Sequence, residues 1–511
     1  MSIATIKTVA FQGVDVLDVD VQVQMASGMP AFAIVGLPDK AVAESRERVR
    51  ASLHALGISL PAKRITINLA PADLSKEGSH YDLPIALGVL AVMNALPAED
   101  IANYIALGEL SLDASIRAIN GVLPAAMHAA EKNKGLIIPK ACGAEAAWAG
   151  DIDILAPKNL LQLINHIKGT QVLVKPEAKL KDDRAHTGPD LSEVKGQETA
   201  KRALEIAAAG GHNMLMIGPP GSGKSMLASC LPSILPQLSP KEALEVSMIH
   251  SLAGSLPEGG LLSRRPFRDP HHSASQPSLI GGGNKAKPGE ISLAHNGILF
   301  LDEFPEFQRS TLEALRQPLE TGSVLVSRVN YHVNYPARFQ LIAAMNPCRC
   351  GYMGDPEMEC TKAPRCGGDY QSKISGPMFD RIDVVVDVPA VQVSDLQTDT
   401  PAQSSKSVAQ RVLRARQIQS QRYANLGAQY EVNAYANGKI LETVAPMDGE
   451  AKAFMAQATD KMKLSARAYH RVLRLARTIA DLEANASVAA QELTKKHIAE
   501  ALSYRRTSTR G

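Results

Sequence analysis

Aromatic residues make up only 4% of this 511-residue chain, with a single tryptophan. So little ring surface excludes extensive base stacking as a grip on nucleic acid, which would have to run through backbone charge instead. Cysteine is scarce as well, six in all, and that excludes a disulfide framework. No apolar stretch reaches the ~18 residues of a membrane span, and no basic–apolar–small signal pattern opens the chain. The expectation is a cytoplasmic protein with no membrane contact. A net charge of +3 demands no particular partner, and neither an internal repeat nor a low-complexity tract is present. What remains is 45% hydrophobic content, ample for packed cores, over a length that fits roughly two to four domains.

The most informative stretch is Gly218-Pro219-Pro220-Gly221-Ser222-Gly223-Lys224-Ser225, entered from the apolar run Met214-Leu215-Met216-Ile217. A buried strand that turns through glycines into a helix aims successive backbone N–H groups at one place, which suits a polyphosphate. Lys224 would reach the β/γ-phosphates and the Ser225 hydroxyl would ligate Mg²⁺. Ile298-Leu299-Phe300-Leu301 then ends in Asp302-Glu303. A continuous apolar run reads as a strand buried on both faces, and ligands bind beyond the C-terminal ends of such strands. Asp302 there would hold Mg²⁺ through its water shell, and Glu303 would orient or deprotonate the attacking water.

A third run, Phe339 to Met345, ends in Asn346-Pro347, where the Asn side chain can hold that water or simply make a turn. Arg381, in Met378-Phe379-Asp380-Arg381-Ile382-Asp383, either pairs with a neighbouring Asp or reaches the γ-phosphate of an adjacent subunit in a ring. Arg467, Arg471 and Arg474 share one helical face by i, i+4, i+7 spacing. One of them is expected at the nucleotide, the others in solvent or in ion pairs. Adjacent histidines, His271-His272, lack a nearby carboxylate pair and are read as a structural loop rather than a metal site.

Cys348, Cys350, Cys360 and Cys366 crowd the segment directly after Asn346. Four thiolates in a short loop can surround a tetrahedral Zn²⁺, although C-x-C is tighter than the usual ligand spacing. Structural zinc is the favoured reading and four reduced thiols the other. Cys142 and Cys230 stand alone as small hydrophobes.

Strand-like runs at 6–11, 14–23, 31–35, 64–69 and 104–110 alternate with helical stretches at 39–56, 83–96 and 123–130, a mixed α/β unit over residues 1–170. Residues 171–189 turn to Lys, Asp, Glu, Pro and Gly and read as a linker. The phosphate-loop unit follows over 190–395, and 396–511 carries helical spacing throughout.

These motifs, in this order, resemble an AAA+ P-loop ATPase. Arg265 to His272, Leu279 to Gly283 and Pro288 to Gly297 are similar to the magnesium-chelatase branch. Gly36 to Arg50 and Asn68 to Leu74 resemble the YifB/ComM family, over nearly the whole chain. The resemblance implies an α/β AAA+ core (190–395, with a Cys-rich loop at 348–366) under a helical lid (396–511). A Lon-protease-like, ribosomal S5-like α/β domain (1–170) would precede it. It implies Asn346 as sensor 1, Arg381 as an arginine finger acting in trans and Arg467 as sensor 2. His80 stands where Lon carries its nucleophile and the expected lysine falls near Leu123-Pro124, so the first domain is read as a non-proteolytic scaffold.

Members linked to natural transformation are described as hexameric DNA branch-migration helicases. The resemblance therefore implies an ATP- and Mg²⁺-dependent homo-hexamer that translocates on single-stranded and branched DNA. Lys285 and Lys287 in a glycine-rich insertion, with Arg328 in the hairpin-like 323–330, would follow phosphates in its pore. The other reading is a motor that remodels a protein partner, as in magnesium chelatase.

Overall fold

The computed structural model describes residues 2–178, 188–257, 260–283, 286–328, 331–353, 360, 362–391, 403–484 and 492–505. The first unit is built on a seven-stranded mixed sheet. Its spine is a long antiparallel hairpin, Ser2–Gln12 with Asp15–Ala26, turned at Gly13 in left-handed conformation. Arg64–Ala70 adds antiparallel to one side, and Ala31–Val35 pairs parallel with it. Tyr104–Ala106, Gly135–Ile137 and Ile154–Leu155 extend the other side in parallel. The helix Asp82–Val92 is buried at every position, the mark of an element enclosed on all sides. Gly88 lets it approach closely, since a Cβ there would stand 2.5 Å from a methyl of Val23.

Two sequence expectations change in detail. The run 104–110 breaks after Ala106, because Gly108 turns out of the sheet to donate to His80 O and accept from Leu83 N. Helix 39–56 divides at Glu44 into Lys40–Ala43, capped by the Asp39 carboxylate, and Ser45–Ala55.

The second unit carries five parallel strands in the order Phe267–Arg268, Ile298–Leu301, Gln340–Met345, Met214–Ile217, Val384–Asp387. Three of them, Met214–Ile217, Ile298–Leu301 and Gln340–Met345, are buried at every residue, as a sheet covered on both faces requires. The strand that comes first in the chain lies inside the sheet, so connections leave it in opposite directions and open a crevice at the C-terminal strand ends.

The C-terminal helices, Ser405–Asn425, Gly438–Val444, Gly449–Met462, Ala466–Glu483 and Lys495–Ser503, share one continuous core with the Glu198–Gly210 helix and one face of the sheet. Asp481, fully buried, accepts from Arg422 (3.0 Å), Arg477 (3.0 Å) and Asn433 (2.9 Å). Its charge is thus compensated by two guanidinium groups rather than left alone in the core.

The two units meet in buried contacts. The Glu145 carboxylate, pushed to higher pKa by burial, accepts from Ser251 Oγ at 2.6 Å and from Leu123 N at 2.9 Å. The turn at Gly13 abuts the second unit's hairpin, Ser323–Arg328 with Tyr331–Pro336; a Cβ on Gly13 would overlap Val333 at 2.2 Å.

Candidate nucleotide site

The strand Met214–Ile217 delivers the chain to the crevice, and the helix Lys224–Ile234 leaves it. Between them Gly223 sits at φ +88, a left-handed turn open to glycine, from which the helix starts. Gly218 is required for a different reason: a Cβ would lie 2.0 Å from the Val388 carbonyl.

Lys224 is largely buried and its amine donates to the Gly218 and Pro219 carbonyls, both at 2.8 Å. The same amine reaches Asn346 Oδ1 at 3.3 Å. Burial lowers the Lys224 pKa, and the charge of Asp302 acts against that shift. Ser225 Oγ donates to Asp302 Oδ2 at 2.7 Å, so the two expected Mg²⁺ ligands are already adjacent. Hard oxygen donors of this kind, few and beside a phosphate cradle, fit Mg²⁺.

Glu303 lies just beyond, at φ +50, where Asp302 Oδ1 accepts its backbone N–H at 2.8 Å. Its side chain is 52% exposed, and Oε2 lies 2.9 Å from His272 Nδ1. Sequence reasoning assigned His271-His272 to loop structure and missed this contact. The available signal was position, since His272 comes four residues after the edge strand Phe267–Arg268, which pairs with the strand that ends at Asp302-Glu303.

Arg381 is placed away from its own phosphate loop. It bonds the Arg316 carbonyl at 3.2 Å and the Pro377 carbonyl at 2.5 Å, and pairs with Glu320. Burial lowers its pKa, Glu320 opposes this, and the like charges of Arg316 and Arg467 add to the lowering. Arg467 is exposed at the start of the Ala466–Glu483 helix. Arg471, one turn on, is a lid–core tie: it donates to Asp380 at 2.9 Å and to the Ile382 carbonyl at 3.0 Å. Arg474 donates to the Ala434 carbonyl at 3.2 Å.

Four sulfurs gather beside the phosphate loop. Cys348 and Cys350 Sγ are 3.1 Å apart, Cys360 and Cys366 3.5 Å. Cys348, Cys350 and Cys366 lie mutually within 4.8 Å. Four thiolates at 2.3 Å from a tetrahedral Zn²⁺ stand about 3.8 Å from one another; the three sulfurs of Cys348, Cys350 and Cys366 are compatible with such an ion, and Cys360 stands beside Cys366 outside that group of three. Gly351, at φ +92, packs on Pro220 of the phosphate loop, with a Cβ position 2.5 Å from Pro220 Cδ. Cys142 and Cys230 are buried as expected, their thiols pushed up to about 11 and about 12 by desolvation.

Of the expected pore residues, Lys287 is exposed on a two-residue strand paired with Gly281–Gly282. Arg328 ends the Ser323–Arg328 strand, and Lys285 lies outside the described residues. In the first unit, Ser79 Oγ donates to Glu109 and His80 Nε2 lies 2.9 Å from the Val9 carbonyl. No described helix is long and apolar enough to cross a membrane.

A parallel sheet of this strand order, with a Gly-rich loop, a paired Ser and Asp and an Asn on the neighbouring strand end, defines a P-loop protein of AAA+ type. The family model for magnesium chelatase subunit ChlI matches residues 190–396; further models for that subunit match 21–142 and, for its C-terminal part, 402–505. Competence protein ComM of Haemophilus influenzae is 42% identical over 99% of this chain and 98% of its own length. The uncharacterised protein YifB of Escherichia coli is 41% identical over 99% and 97%. The magnesium-chelatase 38 kDa subunit of Rhodobacter capsulatus is 29% identical over 31% of this chain and half of its own. The chain belongs to the YifB/ComM family of magnesium-chelatase-like AAA+ proteins.

Proposed function

We propose that this chain is an ATPase that works as a hexameric DNA translocase, migrating branched DNA during recombination in natural transformation. The observation that carries the reading is the convergence of Lys224, Ser225, Asp302 and Asn346, with Glu303 beside them, while Arg381 bonds elsewhere in its own chain. Lys224 and the loop amides would bind the triphosphate, Ser225 and Asp302 would hold Mg²⁺, and Glu303 would accept the proton of the attacking water. Asn346 would orient that water. Arg381 would meet the nucleotide of an adjacent protomer as an arginine finger, and Arg467 would contact nucleotide from the lid as sensor 2. Lys285, Lys287 and Arg328 would contact DNA backbone without reading sequence.

Cys348, Cys350, Cys360 and Cys366 would hold a structural Zn²⁺ that stiffens the segment between Asn346 and Arg381. The first unit would act as a Lon-like scaffold without protease activity, since Ser79 is bonded to Glu109 rather than to a lysine.

The deciding experiment is the ATPase rate with and without single-stranded, duplex and four-way-junction DNA at low salt. Stimulation is expected, strongest on branched DNA. An ATPase indifferent to every form of DNA would favour the second reading, a motor that remodels a protein partner. That reading draws on the match of the 190–396 segment to a chelatase subunit, and partner-stimulated metal insertion would establish it.

A further inference from the structure

A small cavity opens between the lid and the sheet, at the end of the strands away from the phosphate loop. Met214 pairs with Val384 and Ile217 with Asp387, so Val384 lies opposite the start of the strand whose other end delivers Gly218. The cavity holds about 120 Å³. Asp380, Asp383 and Val385 line it from the sheet side, and Arg471, Leu475 and Arg505 from the lid. A phosphate-sized group fits this space, which is well under the roughly 300–1,000 Å³ that encloses a drug-sized ligand.

Two guanidinium groups share the cavity. Arg471, only 9% exposed, engages the Ile382 carbonyl through Nη1 and Asp380 through Nη2. Its Nε has no hydrogen-bond partner among the described residues, and neither has the buried Nη1 of Arg505. The backbone holds Arg505 in place: Val385 N donates to the Tyr504 carbonyl at 2.9 Å, and Arg505 N to the Leu502 carbonyl at 3.0 Å. Burial lowers the Arg505 pKa, and the like charge of Arg471 adds to the lowering, against the pull of Asp380 and Asp383. Both carboxylates are already engaged, Asp380 Oδ1 by Arg471 Nη2 and Asp383 Oδ2 by His212 Nδ1 at 3.3 Å. An oxyanion between the guanidinium groups would relieve their mutual repulsion and take the donors that the protein leaves unmade. The planar fork of each arginine matches two oxygens of such an ion.

We propose that Arg471 and Arg505 form an anion site at the lid–sheet junction for inorganic phosphate, or an oxyanion of the same size and charge, and that the bound ion ties the lid to the sheet beside Arg381.

The test is titration calorimetry of inorganic phosphate into the Lys224→Ala chain, in which the phosphate loop has lost the amine that would hold the same ion. A saturable heat is expected, with sulfate competing and sodium chloride at equal ionic strength not competing. Adding Arg505→Gln should weaken binding about tenfold or more, the cost of a charge-assisted hydrogen bond. Arg505→Lys keeps the charge without the fork and should recover part of the affinity. Phosphate should also raise the urea midpoint of the Lys224→Ala chain above its value in chloride, and less so once Arg505→Gln is added, each protein serving as its own reference for folding. No saturable heat, competition by chloride, or an affinity unchanged by Arg505→Gln overturns the proposal. None of these readouts needs ATP turnover, so their failure leaves the ATPase reading intact.

Discussion

Arg471 and Asp380 face each other at 2.9 Å across the junction of lid and sheet, and the same guanidinium takes the Ile382 carbonyl at 3.0 Å. The lid therefore holds the residues on either side of Arg381, so rotation of the lid changes where Arg381 is presented. Arg381→Ala should leave nucleotide binding nearly intact and lower turnover by about 10³-fold or more, the range known for arginine fingers. Mixing Arg381→Ala with Glu303→Gln protomers should restore part of the activity, measured as steady-state ATPase across mixing ratios. Arg471→Ala should lower turnover while keeping ATP affinity within about threefold, because it disturbs the finger's support rather than the phosphate cradle.

Lys224 and Asn346 share a hydrogen bond at 3.3 Å, yet their removal should be felt differently. Lys224→Ala should abolish binding of a fluorescent ATP analogue, since the loop loses its only buried cation among the described phosphate-loop residues. Asn346→Ala should bind the analogue and lose about 10²-fold in kcat, the usual cost of one precisely placed polar group at a reacting centre. Equal losses of affinity in both variants would refute the division.

Metal analysis of the purified chain should give about one zinc per protomer, reduced in Cys360→Ser. The cluster reaches the phosphate loop through Gly351 and Pro220. Gly351→Ala places a Cβ 2.5 Å from Pro220 Cδ at a φ of +92, so the loop must shift. ATP affinity should fall by about tenfold, consistent with about 1.4 kcal/mol of strain. Unchanged affinity by titration calorimetry would separate the cysteine segment from the nucleotide.

His295 gives a pH dependence of known sign. Burial pushes its pKa down to about 4, against the pull of Glu245, and its Nδ1 accepts from Arg338 N at 3.1 Å. The folded state keeps the ring neutral where the unfolded chain protonates it. Stability is thus full above about pH 6.5 and falls as pH drops towards 4, by up to about 3 kcal/mol. Urea midpoints at pH 7 and pH 4.5 should differ less in His295→Gln than in the wild type.

The candidate site's positions were legible because its strands are buried on both faces and leave apolar runs, interrupted only by Gln340, each followed by the polar residues expected at the site. Phe267–Arg268 is a short edge strand that left no such run, and His271-His272 beyond it were read as loop for want of a nearby carboxylate pair, while Glu303, the carboxylate that His272 meets, lies 31 residues further along the chain. The lid's arginines were legible as one face but not in their separate partners, because i, i+4 spacing specifies neighbourhood and not the carboxylate opposite. Asp481 with Arg422, Arg477 and Asn433 joins positions far apart in the chain, which no local pattern announces. The break after Ala106 depends on Gly108 bonding residues of a preceding segment, again a non-local cause.

Gly13 has a mechanical implication. Because its missing side chain lets the first unit's turn seat directly against Val333, the Tyr331–Pro336 strand has no slack on that side. Any stroke of this hairpin has to carry the whole first unit as ballast or bend at Gly13 itself, so a bulkier residue there would act as a brake on movement long before it disturbed folding of either half.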